Sequence, residues 1–330
     1  MAFYFIGMPP AEQKYFFFSN LNIILCNQEN SKRTINLESL RQNSEAFKFY
    51  TGFEDYNHFE YLLNFLGPAA DQLSYKSRQL SSAEELLFTL IKLRLNKADQ
   101  ELAYLFGVST HVVSQTFLTW LNFMYFTFKE LNIWPEKEII DTYMPFDFKE
   151  KFPSTRVILD ATEIPIQKPS KVLSQSATWS SYKNRNTVKC MIGVTPKGVV
   201  SHISKAFGGS ASDRQIIENS DLLDENKFEK KDSIMADRGI MVQDLFASKD
   251  VFVNTPTTMR GKNQLEPETV IKDRRISSKR VHVERIIGLA KTFKILKHEL
   301  NHSYTKIAGR ILYVCFVLVN FRPNIVSKFC

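Results

Sequence analysis

The sequence predicts a two-part chain: an all-helical segment followed by an α/β or α+β domain in which helices cover a mixed sheet. Apolar residues recur at helical spacing over residues 80–134. From about residue 152, short apolar runs alternate with helical stretches. The turn Thr195–Gly198 (Thr-Pro-Lys-Gly) joins two of these runs, the predicted strands Thr187–Val194 and Val199–Phe207, as a hairpin. A hairpin combined with strand–helix alternation predicts a sheet with both parallel and antiparallel pairs.

The composition is that of a folded protein with a polyanionic partner. Hydrophobic residues make up 44% of the 330 residues and charged residues 24%, which is ordinary for a globular protein. The formal net charge of +8 favours an acidic polymer such as nucleic acid.

Cysteine usage and apolar segments favour an intracellular protein that is neither secreted nor in a membrane. Four cysteines lie far apart without zinc-ligand spacing: Cys26, Cys190, Cys315 and Cys330. Such a pattern fits a reducing compartment. Residues Met1–Tyr15 have neither the basic region nor the cleavage site of a secretory signal. The apolar run Ile311–Val319 is shorter than the ~20 residues that span a bilayer, and it predicts a buried helix or strand.

Residues 80–134 predict three helices in a helix-turn-helix arrangement. Ser81 and Glu84 have the spacing of a capping box at the start of the first helix. The second helix covers Asp99–Phe106 and stops at Gly107, and the third begins near Thr110. Two helices joined by a short glycine turn are typical of a DNA-binding helix-turn-helix. Residues 1–79 are aromatic-rich with short helical pieces such as Phe59–Phe65, and their role stays open.

The start of the third helix is the predicted DNA-contacting surface. The apolar residues of both helices would pack together: Leu102, Ala103 and Phe106 with Val112, Val113, Phe117 and Trp120. Four polar residues then face outward, where a recognition helix presents side chains to base edges: Thr110, His111, Ser114 and Gln115. A three-helix bundle without DNA contacts fits the same pattern.

Three acidic residues are candidates for a metal site. The predicted strands Arg156–Leu159 and Ser233–Ala236 end on Asp160 and Asp237, and strand ends converge at one edge of an open sheet. Glu284 is predicted early in a helix over residues 278–296. Such a set suits Mg²⁺ or Mn²⁺ rather than zinc, and two ions about 3.5–4 Å apart could drive phosphodiester chemistry. Alternatively, each acid has a local structural role, as a turn former or a helix-dipole partner.

Several short motifs follow one another in order between residues 157 and 321. They are Leu159–Ile166 (LDATEIPI), Gly193–Gly198 (GVTPKG), Gly208–Ser210 with Ser212-Asp213, Ala236–Gly239 (ADRG), Arg280–Arg285 (RVHVER) and Cys315–Phe321 (CFVLVNF). This series resembles the DDE superfamily endonucleases of PIF/Harbinger-like and ISL2EU-like transposable elements. Residues 80–134 resemble the helix-turn-helix segment that precedes the catalytic domain in that family.

The resemblance implies an RNase H-like catalytic domain at about residues 152–325, with Asp160, Asp237 and Glu284 as the metal-binding D, D and E. It implies a transposase, or a nuclease descended from one, that cleaves DNA and transfers strands with two Mg²⁺ or Mn²⁺ ions. The expected partners are double-stranded DNA at the element ends and target, and further copies of the chain. Residues 1–79 have no Cys/His spacing for the zinc-dependent module of many relatives, so end recognition could rest on the helix-turn-helix, on a separate DNA-binding partner protein as in Harbinger-type elements, or be lost. If the source is eukaryotic, the location is the nucleus, with Lys272–Arg280 as a contributing basic segment.

Polar residues beside the motifs have more than one interpretation. Glu163 and Asp213 match motif positions and are expected to support the metal ligands rather than to bind metal. Four cations could clamp DNA phosphates: Lys183, Arg185, Arg238 and Arg285. Arg238 or Arg285 could equally pair with the acids. His282 is expected to be a packed or capping residue rather than a base.

Two alternative functions stay open on the sequence. One is a domesticated, non-catalytic DNA-binding or scaffold protein that retains the fold. The other is an RNase H-like nuclease acting on RNA or RNA–DNA hybrids.

Overall fold

The first half of the chain is helical. The computed structural model describes residues 34–257, 266–323 and 325–326, so Met1–Tyr15, Cys26 and Cys330 lie outside the described residues. The helices before the sheet are α1 Leu37–Arg41, α2 Ser44–Thr51, α3 Tyr56–Leu66, α4 Ser82–Leu95, α5 Asp99–Phe106, α6 Thr110–Lys129, α7 Lys137–Tyr143 and α8 Phe146–Lys151. The predicted helix around Phe59–Phe65 is confirmed by α3.

The predicted helix-turn-helix is present in α4, α5 and α6. Ser81 and Glu84 form the capping box that starts α4. Gly107 ends α5 with a φ of 64°, a left-handed conformation that glycine adopts without strain. The apolar faces pack as predicted, with Val112 half-buried and Phe117 fully buried. In the same core the buried carboxylate of Glu85 accepts a 2.8 Å hydrogen bond from Trp120 Nε1, which ties α4 to α6.

The second half is built on a mixed sheet. Its strands are β1 Thr155–Pro165, β2 Trp179–Ser180, β3 Arg185–Val194, β4 Val200–Ile203, β5 Phe207–Gly208, β6 Ser233–Ala236 and β7 Phe252–Asn254. The order across the sheet is β2-β3-β1-β6-β7, and β4 and β5 also pair with β3. The β1–β3 pair is antiparallel, whereas β1–β6 and β6–β7 are parallel. The predicted mixed α/β fold is therefore confirmed.

The first strand is longer than the sequence predicted. Asp160 was expected at the end of a strand, but β1 continues to Pro165 and Asp160 lies in its middle. The reason is that β3 pairs with β1 along its whole second half, from Ile158 opposite Val194 to Pro165 opposite Thr187. The predicted strand Val199–Phe207 is instead two short strands, β4 and β5.

Helices cover both faces of the sheet. They are α9 Val172–Thr178, α10 Asp213–Glu218, α11 Gln243–Ala247, α12 Pro267–Ala290, α13 His302–Thr305 and α14 Ala308–Val319. Helix α14 is buried along its apolar run, as predicted for Ile311–Val319. Among the described residues, we find no helix with the length and apolar character needed to cross a membrane.

Helix α12 corrects the prediction for Glu284. It begins at Pro267 and runs for 24 residues, so Glu284 lies in its C-terminal third rather than early in a helix. The basic run Lys272–Arg280 is part of this helix. Proline at the first helical position starts the helix, and Ile276, Val283 and Ile287 provide a buried apolar face.

A buried ion pair links the amino-terminal ends of β1 and β6. Asp232 is fully buried, and its Oδ1 lies 2.8 Å from Lys137 Nζ. Its Oδ2 lies 3.2 Å from Arg156 Nε and accepts a 2.8 Å hydrogen bond from the Glu229 backbone N–H. The Asp232 carboxylate also raises the pKa of Lys137. This contact holds the two central strands in register at the end opposite the acidic residues.

Candidate active site

Asp160 and Asp237 are neighbours because of the strand register. The last parallel pair of β1 and β6 is Leu159 opposite Ala236. Asp160 and Asp237 are the next residues along the two chains, and paired strands lie about 4.8 Å apart. Strand β6 ends there, as predicted, while β1 continues, so Asp237 is at a strand end and Asp160 is not.

Glu284 reaches the same place from α12, and a single arginine connects it with Asp237. Arg280 Nη1 lies 3.0 Å from Asp237 Oδ1, and Arg280 Nη2 lies 3.4 Å from Glu284 Oε1. The Arg280 side chain is only 12% exposed, so this guanidinium is held in the site rather than in solvent. The two acidic side chains are about half exposed and remain open to a ligand.

Asp160 is the most shielded of the three acids. Its pKa is raised to about 6, mainly by burial and to a smaller extent by the charges of Asp237 and Glu284. The Arg280 guanidinium and the Ala161 N–H, which donates a 2.9 Å hydrogen bond to Asp160 Oδ1, oppose this rise. Since the charges of Asp237 and Glu284 both act on Asp160, the three acids lie close enough to form one electrostatic site. A cation bound between them would relieve the cost of burying the Asp160 carboxylate.

The donor set fits a hard divalent cation, with one rearrangement. The donors are carboxylate oxygens, the ligands preferred by Mg²⁺ and Mn²⁺. In the described part of the chain, no three His, Cys, Asp or Glu side chains are close enough to hold an ion as they stand. The Arg280 guanidinium already provides a positive charge between Asp237 and Glu284. A metal ion would therefore require Arg280 to move away from these two acids.

The arginine that pairs with the acids is not one of those named from the sequence. Arg238 and Arg285 are exposed, and neither forms an ion pair among the described residues. Arg238 contacts Asp237 only through its backbone N–H, at 2.7 Å from Oδ1. Arg280 was part of a quoted motif, and its position four residues before Glu284 was the available signal, because such pairs share a helix face.

The predicted supporting residues occupy different positions around the sheet. Glu163 is half-buried on β1 and accepts a 2.7 Å hydrogen bond from Thr187 Oγ1. Asp213 starts α10 and pairs at 2.8 Å with Lys189 Nζ. Their supporting role in catalysis stays a prediction. His282 is a packed residue, as expected: it is buried, it lies against Phe148, and burial lowers its pKa.

The helix-turn-helix surface has the expected exposure at two of four positions. Thr110 and His111 are exposed at the start of α6. Ser114 and Gln115 are half-buried, and the Ser114 hydroxyl donates a 3.0 Å hydrogen bond to Asp99 on α5. Base contacts by these residues stay a prediction, and Ser114 would have to leave Asp99 to make one.

Two neighbouring aspartates, a helical glutamate and a preceding helix-turn-helix are the arrangement that the resemblance to DDE endonucleases implies. A family model described as DDE superfamily endonuclease matches residues 159–320, and one described as helix-turn-helix of DDE superfamily endonuclease matches residues 78–130. The chain belongs to this DDE superfamily endonuclease family. A search of curated proteins finds no significant match.

Proposed function

We propose that this protein is a transposase, or a nuclease descended from one, that cleaves DNA and transfers strands in a divalent-metal-dependent reaction. The observation that carries the proposal is the convergence of Asp160, Asp237 and Glu284 around one cationic group. Family membership and the helix-turn-helix support DNA as the substrate. One chain would then provide both DNA binding and DNA cleavage.

The three acids would hold the metal ions from two strands and one helix. Asp160 lies within β1, paired with Ile192 of β3, and Asp237 directly follows β6, so the sheet positions both backbones. Glu284 comes from a helix whose neighbouring Val283 and Ile286 are buried against the sheet side of the core. Two Mg²⁺ or Mn²⁺ ions bound there would activate a water or a 3′-hydroxyl and stabilise the leaving oxygen.

Arg280 would act as a counterion that gives way to the metal. Its one positive charge offsets part of the combined negative charge of Asp237 and Glu284 and lowers the repulsion among the three acids. A guanidinium and a divalent cation would repel each other if both lay between Asp237 and Glu284, so the ion would displace the guanidinium. Once displaced, the Arg280 side chain would be near the scissile phosphate and could bind it.

Nicking of supercoiled DNA tests the proposal. The full chain should convert supercoiled plasmid into nicked circles in Mg²⁺ and in Mn²⁺, and should leave it intact in EDTA, because the carboxylates activate nothing without an ion. An RNA–DNA hybrid of the same sequence should be cut more slowly than the duplex. A folded protein that binds the plasmid but never nicks it, in either metal, supports the scaffold alternative, and faster cutting of the hybrid supports the RNase H-like one.

The expected partners and location enter the proposal as well. Because transposases generally act as multimers that bring two element ends together, the resemblance supports including a homo-oligomer on DNA in the proposal. The proposal also includes a separate DNA-binding protein for end recognition, and a nuclear location in a eukaryotic cell.

A further inference from the structure

A small basic cleft opens beside the candidate active site. It has a volume of about 220 Å³ and is lined by Glu163, Lys183, Arg185, Thr187, Lys291 and Lys297, among others. The cations come from two separate places in the chain. Lys183 lies between β2 and β3 and Arg185 is the first residue of β3, whereas Lys291 is the C-cap of α12 and Lys297 follows the short helix Lys294–Leu296. The fold therefore gathers four positive side chains that the sequence keeps apart.

These cations have no carboxylate partners in the part of the chain that the structure describes. None of the four forms an ion pair there, and the one acid in the cleft, Glu163, accepts a hydrogen bond from Thr187. Lys291 is half-buried, and burial together with the charges of Lys183 and Lys297 lowers its pKa. The other three cations are exposed, and an anion bound beside Lys291 would reduce the repulsion among the four.

The cleft is close to the three acids. The Asp160 and Glu163 carboxylates both act on Lys291 and favour its charged form. Glu163 is three residues beyond Asp160 on β1, a separation of roughly 10 Å along an extended strand. Because side chains three residues apart leave opposite faces of a strand, the two carboxylates are at least about this far apart, which at about 3.4 Å per nucleotide corresponds to about three nucleotides or more.

We infer that this cleft binds a backbone phosphate of the DNA strand being cut, within a few nucleotides of the scissile bond, through Lys291 and Lys297 with Lys183 and Arg185. The inference rests on the proposed function, since it takes DNA as the substrate. The contact positions the strand and reads no base, as expected for lysine and arginine bound to phosphate. It adds Lys291 and Lys297, which no sequence motif indicated, to the DNA-binding surface.

Binding of labelled duplex DNA in EDTA tests this cleft without any cleavage. The double variant Lys291→Gln/Lys297→Gln should bind DNA about tenfold or more weakly than the wild type. The slope of log Kd against log salt concentration should become smaller by about one for each lost phosphate contact. Lys291→Arg should keep most of the wild-type affinity for DNA because arginine keeps the positive charge. The matched control is Lys230→Gln, an exposed lysine that precedes β6 at the end opposite Asp237. Melting temperatures establish that each variant is folded.

The outcomes separate this inference from the proposed function. If the double variant matches Lys230→Gln in affinity and salt dependence while the wild type still nicks DNA, the cleft assignment is overturned and the nuclease stands. If binding depends on the cleft but the wild type never nicks DNA, the cleft is supported and the nuclease is not. Inorganic phosphate is a further probe: Lys291-dependent thermal stabilisation by phosphate, with unchanged DNA affinity of the double variant, would assign the cleft to a free anion and overturn the DNA assignment.

Discussion

Glu284→Gln should lower the rate constant for nicking at least about 10³-fold. A metal-bound active site supplies several kcal/mol of transition-state stabilisation, and about 4 kcal/mol corresponds to three orders of magnitude. Glutamine keeps the shape of the side chain but removes the negative charge that would hold the ion. The measurement is plasmid nicking in Mn²⁺ under single-turnover conditions, with wild type and variant at equal concentration.

Helix α12 offers a matched control for this substitution. Glu268 is exposed in the first turn of the same helix, about 24 Å from Glu284 along the axis. Glu268→Gln should nick at the wild-type rate. Loss of the exposed contact between Arg280 and Glu284 should change the free energy of unfolding by less than about 1 kcal/mol, so a lower rate would not reflect unfolding. Equal rates for Glu284→Gln and Glu268→Gln would remove Glu284 from the site.

Asp232→Ala should lower the free energy of unfolding by about 3–5 kcal/mol. The substitution leaves Arg156, which is 5% exposed, without its carboxylate in the interior, and an uncompensated buried charge is costly. Arg156 keeps a 3.2 Å contact from Nη2 to the Pro135 carbonyl and its position against the Trp134 ring, which soften the loss only in part. Urea denaturation followed by circular dichroism measures the change.

The control for Asp232 is another aspartate in the preceding loop. Asp224 is exposed and its side chain forms no hydrogen bond or ion pair among the described residues, so Asp224→Ala should stay within about 0.5 kcal/mol of wild type. The double variant Asp232→Leu/Arg156→Met should recover much of the loss, because replacing both charges removes the unpaired one. If Asp232→Ala changes the free energy of unfolding by less than about 1 kcal/mol, water reaches Arg156 and the Asp232–Arg156 pair does not hold β1 and β6 together.

Local signals were sufficient to predict much of the fold. The capping box at Ser81, the glycine stop at Gly107 and the strand that ends before Asp237 depend on residues close in sequence, and the structure confirms each. The extent of β1 is different, because its second half is held by pairing with β3 more than twenty residues away. No local pattern distinguishes a strand that stops at Asp160 from one that continues.

The sequence predicted the acids of the candidate site but only some of its cations. The ordered motifs indicated Asp160, Asp237 and Glu284, and the register of β1 with β6 places the two aspartates side by side. Arg280 could be linked to Glu284 by helical spacing, but its contact with Asp237 depends on how α12 packs on the sheet. The basic cleft required the fold, since it joins Lys183 to Lys291 across distant segments.

Direct binding of Mn²⁺ tests whether the three acids form one cation site in which Arg280 now pairs with Asp237 and Glu284. The measurement is calorimetric titration of the DNA-free wild type, Asp160→Asn, Asp237→Asn and Arg280→Met, with melting temperatures to establish folding. We expect the wild type to bind Mn²⁺ and either Asn variant to bind it at least about tenfold more weakly. Arg280→Met should bind Mn²⁺ more tightly because the competing positive charge is gone. Mn²⁺ binding by both Asn variants with wild-type affinity and stoichiometry would contradict this cation site, because the ion would then be held elsewhere.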